Sequence, residues 1–371
     1  MKKEKRIKEY DKMKRTIALA LSLAMSILFV AGCGGASSSA APVSQAAPVS
    51  SEAAASGATA ADAGKYADYP SKPINYIITA SAGGGLDICA RMLAPYFQAE
   101  LGKDAVVTVS NVTGGANWVG WGEMMNAAPD GYTISNIHTP QVYSYLNKSL
   151  KNQNTLESFN LLCNCVTDYC LIAVRADDER FADVNDLKSF AEYIKAHADQ
   201  EFLVALTSKG GADELVMLDF NKTEGITNIT GVNHSKGISE AKSAFLGGHV
   251  DIYSGKVGDT LAGYKDGTIK VLGVMSNERS KLMPDVPTAI EQGYDIVNGS
   301  SRGIVAQPGM DPELKEIIVS ALRRAQENPE YLRAMEEAGY EVDYMEGQEY
   351  EEYMKAMEAV VIKYADELGY N

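Results

Sequence analysis

From residue 74 onward the chain repeats one pattern: a β-branched apolar run, a glycine-containing loop, then an amphipathic segment. Residues 74–80 (INYIITA) read as a strand and 81–85 (SAGGG) as a loop. Residues 87–101 read as a helix, with Ile88, Met92, Tyr96, Phe97 and Leu101 at helical spacing. Pro95 should kink that helix or end its first segment. Residues 105–110 form the next strand and 111–117 a second glycine-containing loop, after which Trp118, Trp121 and Met125 recur as a helix face. A turn at 129–131 leads to a strand over 132–137. The alternation resumes with strands at 171–174, 202–206, 250–253 and 269–275, and helices at 184–198, 213–221 and 238–246. Asp311 before Pro312 and Asn328 before Pro329 each place a capping residue ahead of a first-turn proline, so the C-terminus is helical. This order builds a parallel sheet with helices on its faces. At 371 residues the chain exceeds what one core usually serves, so two α/β domains are expected.

The N-terminus has a different character. Lys12, Lys14 and Arg15 precede an apolar run over 17–30, followed by Ala31, Gly32 and Cys33. A basic region, a short apolar stretch and small residues at the exit describe a secretory signal peptide over residues 1–32. The run is short for a membrane span, which needs about 20 apolar residues. VAGC (30–33) resembles the bacterial lipobox, which implies that Cys33 is acylated and becomes the mature N-terminus. Met13 is a second candidate start, because MKRTIALAL alone suffices as the basic region. Residues 33–64 are then almost all Ala, Ser, Gly, Pro and Val and should be a disordered tether behind the lipid anchor.

Hydrophobic residues make up 46% of the chain and charged residues 22%, ordinary for a soluble body. The formal net charge is −15, which argues against a nucleic-acid binder. Loss of residues 1–32 would remove eight Lys/Arg and three Asp/Glu, deepening it to −20. Any anion this chain captures must be held by local groups, since the overall field repels it. Three cysteines stand in CNCVTDYC, at Cys163, Cys165 and Cys170, without the paired CxxC spacing of a zinc site. Cys163 and Cys165 fall on one face of a strand and read as packed, reduced thiols. No metal and no cofactor are expected.

Ser81, Ala82, Gly83, Gly84 and Gly85 stand between a strand and a helix. Glycines there turn the backbone tightly and expose successive amides, and the helix start adds a positive dipole end. Such a nest suits a carboxylate or a phosphate. The spacing is neither GxGxxG nor that of a P-loop, so nucleotides fit less well. The loop at 207–211 (TSKGG), after the strand over 202–206, is the natural counterpart. It offers Thr207, Ser208, Lys209 and the amide of Gly210 to the other side of a ligand.

The series YPSKPI (69–74), SAGGGLD (81–87), APDGYT (128–133), LGGHVDI (246–252) and MPDVPTAIEQG (283–293) resembles the substrate-binding proteins of tripartite tricarboxylate transporters, the Bug family. The likeness runs in order from about Tyr69 to the C-terminus. It implies an α/β, two-lobed fold like that of periplasmic binding proteins (type II, Venus flytrap), with the chain crossing between lobes near 168–171 and 299–303. Residues 65–170 plus 300–371 would form lobe 1, and 171–299 lobe 2. The resemblance also implies a small carboxylate ligand gripped by the loop at 81–85, with Asp87 orienting its amides. By the same match Thr139, Ser208, Gly210 and Asp251 face the cleft. Arg302 stands where the family often has an aromatic residue, and there it could pair with a second ligand carboxylate; a solvent-facing side chain or an ion pair within the protein is the alternative. The implied partners are that ligand, integral-membrane permease subunits, and the membrane through the lipid on Cys33. The implied protein is an extracytoplasmic monomer and not an enzyme.

The sequence has no HExxH pair, and no nucleophile elbow or plausible catalytic carboxylate pair is read from it. Of the four histidines, only His138 stands beside the expected cleft. A sensor that binds the same ligand to signal to a membrane receptor would carry the same features. An extracellular hydrolase or isomerase on this fold is the remaining alternative.

Overall fold

One strand organises the whole body. In the computed structural model, which describes residues 64–234 and 237–371, β4 (Asn160–Arg175) runs for 16 residues. CNCVTDYC lies inside it, and the strand expected at 171–174 is its second half. The first half of β4 pairs with β9 (Gly299–Ala306) and with β10 (Val342–Glu346). Its second half pairs with β7 (Ile252–Lys256) and β8 (Ile269–Val274). The partners change between Tyr169, opposite Gly299, and Cys170, opposite Lys256.

Around the first half, β1 (Ile74–Ile78) pairs in parallel with β2 (Val107–Asn111) and β3 (Thr133–His138), and β3 pairs antiparallel with β9. Around the second, β5 (Phe202–Leu206) pairs in parallel with β6 (Ile229–Asn233) and β7. The ten-stranded sheet has the order β2-β1-β3-β9-β4-β7-β5-β6, with β8 and β10 also on β4. The molecule is therefore two α/β lobes on a shared strand, and the chain crosses between them on β4 and again into β9.

In the first lobe, α1 (Gly85–Leu101) follows β1 and α2 (Trp118–Asn126) follows β2. The helix α1 continues through Pro95, so the proline does not end its first segment there. Pro95 lies on the exposed side, where the carbonyl it leaves unpaired is open to water. The buried face of α1 is Cys89, Ala90, Leu93, Ala94 and Phe97, so Ile88 is turned outward. In the second lobe, α3 (Leu187–Ala196), α4 (Ala212–Glu224), α5 (Ile238–Leu246) and α6 (Val257–Lys265) cover the strands. The C-terminal helices are α7 (Pro312–Glu327), α8 (Pro329–Glu337) and α9 (Gly347–Lys363). Asp311 and Asn328 cap the first two of these through their side chains, as the Asp-Pro and Asn-Pro pairs predict.

Each lobe has its own apolar core. Ile77, Trp121, Ile137, Val305, Tyr350 and Met354 lie in one cluster, and Ile172, Phe190, Phe202, Phe220 and Leu272 in another. The four described cysteines are buried free thiols. Residues 1–32, Cys33 and all but the last residue of the expected tether lie outside the described residues. No described helix is long and apolar enough to cross a membrane.

Candidate functional site

The loops after β1 and β5 are the same turn built twice. In the first, Gly84 N–H donates to the Ser81 carbonyl (3.2 Å), Gly83 adopts φ +78°, and Gly84 is the N-cap of α1. In the second, Gly211 N–H donates to the Ser208 carbonyl (3.2 Å), Gly210 adopts φ +73°, and Gly211 is the N-cap of α4. An L side chain strains that left-handed conformation, so both first positions need glycine. Each turn is closed by an acid four residues after that glycine. Asp87 accepts the Gly83 amide at 2.8 Å, and Glu214 accepts the Gly210 amide at 2.5 Å. The register SAGGGLD over SKGGADE is readable in the sequence, though nothing but the fold shows that the two segments share a geometry.

The two turns differ in what they leave open. Ser81, Ala82, Gly83 and Gly84 are exposed, and the first amides of α1 have no intrahelical carbonyl to meet. Asp87 is buried and also accepts from Arg91 Nε and Asn111 Nδ2, both at 2.9 Å. Burial alone would raise its carboxyl. The bonds from Arg91, Gly83 and Asn111 outweigh that and hold it at about 2. Asp87 thus stays charged and fixes the loop, leaving the open amides to an anion. In the second turn, Asp213 takes the Thr207 amide and, at 3.0 Å, the Thr207 hydroxyl. Tyr370 covers Gly210, where an added Cβ would lie 2.4 Å from Tyr370 Oη, and Lys209 is exposed. The second loop's amides are largely spent on its own acids.

Replacing Asp87 by alanine strands the Gly83 amide, Arg91 and Asn111 without an acceptor. Stability should fall by about 1–3 kcal/mol, read by urea unfolding. Because the folded carboxyl at about 2 lies below its ordinary 3.8, this contribution is present above about pH 4 and is lost as the pH falls toward 2. The wild-type advantage over the alanine variant should shrink in that window.

At the crossing, Arg302 Nη2 meets Asp168 Oδ2 at 2.9 Å, with both side chains nearly buried. Arg302 Nη1 lies 3.3 Å from Cys89 Sγ, and the guanidinium sits over the Tyr340 ring at 4.7 Å. A Cβ on Gly85 would come within 3.2 Å of both Arg302 Nη2 and Tyr340 Oη, so the start of α1 rests directly on this cluster. From the other lobe, Gly258 N–H in the first turn of α6 donates to Asp168 Oδ1 (3.1 Å). Burial would lower the pKa of Arg302, but Asp168 raises it, so the guanidinium stays charged. The Arg302 charge expected to meet a ligand is therefore already met by Asp168. Asp168, Gly258 and Tyr340 had no role in the sequence reading, because nothing local marks them. They belong to three distant segments.

Two other expected positions are placed differently. Asp251 stands at the start of β7, accepting from Leu203 N–H (2.8 Å) and pairing with Arg180 (2.9 Å). In the parallel β5–β7 pair this is the end opposite the 207–211 loop, since alternation along a strand does not say which end faces the other lobe. Asp251 thus closes the outer end of the second lobe and does not face the first. Thr139 is buried at the end of β3, and its hydroxyl accepts from Ser301 N–H (3.0 Å), tying β3 to β9. A cavity of about 450 Å³ lies between 276–281 and 336–343. Part of its charged lining is used internally: Glu341 accepts from Lys281 N–H (2.8 Å), and Arg279 pairs with Glu291 (2.8 Å). No group of acids, histidines and cysteines suited to a metal occurs among the described residues.

The family described as "Tripartite tricarboxylate transporter family receptor" matches residues 89–364. A relative from Cupriavidus necator, the UPF0065 protein in the gbd 5' region, is 29% identical over 292 residues, covering 77% of this chain and 84% of that one. A TctC solute-binding protein from Polaromonas, solved without ligand, shares the fold with a TM-score of 0.69 at 26% identity, over 80% of this chain and 99% of that one. The periplasmic binding protein BugD gives 0.62 at 26%, over 82% and 99%. The repeated glycine turn at the inner ends of two lobes, the shared β4 and the match over most of the body place the chain in the tripartite tricarboxylate transporter receptor family, whose members are solute-binding proteins.

Proposed function

We propose that this solute-binding protein captures a small carboxylate-bearing molecule between its lobes and delivers it to the permease subunits of a tripartite tricarboxylate-type transporter. The carrying observation is the first-lobe turn. It is exposed, ordered by Asp87, and opens onto helix-start amides in a chain of net charge −15. Two or three charge-assisted bonds of about 1.5–3 kcal/mol each can hold one carboxylate there without a cation. Lobe 1 is taken as 65–170 plus 300–371 and lobe 2 as 171–299, which agrees with the change of β4 partners. Ligand contacts to both lobes then favour the closed state by their differential affinity. A signal peptide over 1–32, acylation of Cys33 and a tether over 33–64 would hold a monomer at the outer face of the membrane.

The test is a thermal-shift screen of the purified chain against mono-, di- and tricarboxylates and amino acids. A ligand at a hundred times its Kd adds about 2.7 kcal/mol, a plainly visible shift. A hit that is recovered chemically unchanged supports capture. A shift with sugars or nucleotides, and none with any carboxylate, would overturn it.

A further inference from the structure

The crossings on β4 and into β9 are not the only links between the lobes. The helix α9 is fixed to the first lobe along its length. Tyr143 Oη donates to the Met354 carbonyl (2.6 Å), and the Tyr145 hydroxyl donates to Glu358. After Glu358 its partners lie in α4 of the second lobe. Lys363 Nζ meets Asp219 Oδ1 at 2.8 Å, the Tyr364 hydroxyl donates to the same oxygen, and Lys222 Nζ stands 5.2 Å from the centre of the Tyr364 ring. Leu215 and Leu218 of α4 pack into the apolar cluster that holds Val361, Tyr364 and Leu368.

Tyr370 touches both lobes at once. Its carbonyl accepts Lys148 N–H of the first lobe at 3.0 Å, while its hydroxyl occupies the space that a Cβ on Gly210 of the second-lobe turn would need. Lys209 of that turn lies along Gly369, where an added Cβ would sit 3.5 Å from Nζ. Internal bonds hold the segment in shape: Leu368 N–H donates to the Tyr364 carbonyl (3.0 Å) and Tyr370 N–H to the Ala365 carbonyl (2.8 Å). Leu368, Gly369 and Tyr370 lie beyond the residues that the family match covers, so this link is read from the contacts of this chain alone.

The strands β4 and β9 tie the lobes covalently, whereas these contacts can separate when the lobes move. Leu215, Tyr364 and Leu368 are at most 2% exposed, so drawing α4 away from them uncovers apolar surface at a cost that grows with its area. The Lys363–Asp219 pair is half exposed on the lysine side and contributes less than this seam. We propose that residues 361–370 are a latch that ties α4 to the first lobe and holds Tyr370 over the second glycine turn. The lobes part on this side, and Gly210 is uncovered, only when the latch lets go. It biases the balance between arrangements of the lobes by contacts of the protein itself, whatever solute is taken.

The test measures the distance between the lobes by pulsed electron resonance, without solute, between nitroxides attached through keto side chains at the exposed positions of Lys103 and Asp199. Wild type should give one narrow distribution. Leu368→Ala combined with Tyr370→Ala should shift it, or add a second population, by more than about 2 Å. Glu358→Gln alters a contact within the first lobe only and should leave the distribution in place. An unchanged distribution in the double variant overturns the latch, and so does an equal shift in Glu358→Gln. A measurement on wild type decides the matter even if the double variant does not fold. The Tyr370 ring protons should show nuclear Overhauser contacts to the Gly210 methylene, and their absence overturns the proposal. None of these readings needs a carboxylate to bind, so failure of the latch and failure of solute capture are told apart.

Discussion

Asp168→Ala is expected to lower stability by about 3–5 kcal/mol, because it leaves the Arg302 guanidinium buried without its counter-charge. The same change removes the acceptor for Gly258 N–H, the contact by which α6 of the second lobe meets the crossing. Cys89 Sγ and the Tyr340 face remain around Arg302, but neither carries a full negative charge in its ordinary state. For a body of this size the loss corresponds to a fall in Tm on the order of 10 °C. Arg302→Ala should cost a similar amount for the mirror reason, a stranded Asp168. The double variant Asp168→Asn with Arg302→Met should be more stable than either single alanine variant, since it strands no charge. Denaturant melts of all four proteins decide the matter. A single variant within 1 kcal/mol of wild type would show that water reaches the pair. Arg302→Ala with unchanged ligand affinity would also fix the role of Arg302 as structural.

The second large effect is a pH dependence carried by His138. Its Nδ1 faces Asn136 Nδ2 at 3.2 Å, and Asn136 Oδ1 is already committed to Thr79 N–H at 2.7 Å. The amide is thus oriented to donate, so Nδ1 must accept and the ring must be neutral. Trp121 packs beside the ring at 5.7 Å, and Arg302 is its neighbour across the β3–β9 pair. Burial, and then the Arg302 charge, lower the His138 pKa from 6.5 to about 3. Between those values the unfolded chain binds a proton that the folded protein refuses, so stability falls as the pH falls. The slope is at most about 1.4 kcal/mol per pH unit, or about 2 kcal/mol between pH 7 and pH 5. His138→Asn can accept the same bond through its own Oδ1 and has nothing to protonate. Its stability at pH 7 should be somewhat lower, with this component of the slope gone. Parallel wild-type and variant curves over pH 7 to 5 would show that His138 is protonated in the folded state.

Much of the first lobe is legible along the chain. The strand–loop–helix order, the exposed glycines at 81–85, the Asp87 role and the proline-marked helix starts all depend on residues within a few positions of one another. Such signals survive in one dimension because a turn or a cap is made by its own neighbours. Where the reading went astray, the partners were distant. Ile88 turns outward although its spacing fits the apolar face. Asp251 looked like a cleft residue, but the direction of β7 puts it at the far end of the lobe.

By itself, the sequence determined the class: an α/β body with a helix-start anion nest, too acidic to hold an anion by its overall charge. The tertiary structure decided how charge is distributed where the lobes meet. Arg302 and Asp168 lie 134 positions apart, and Gly258 lies 90 from Asp168, so their meeting depends on the register of β4 with β9 and β7. That register spends the Arg302 charge on Asp168 inside the protein and sets Lys256 close to Asp213, Asp259 and Asp168. A charge is neutralised by what lies within a few ångströms of it, and only the folded chain sets that distance.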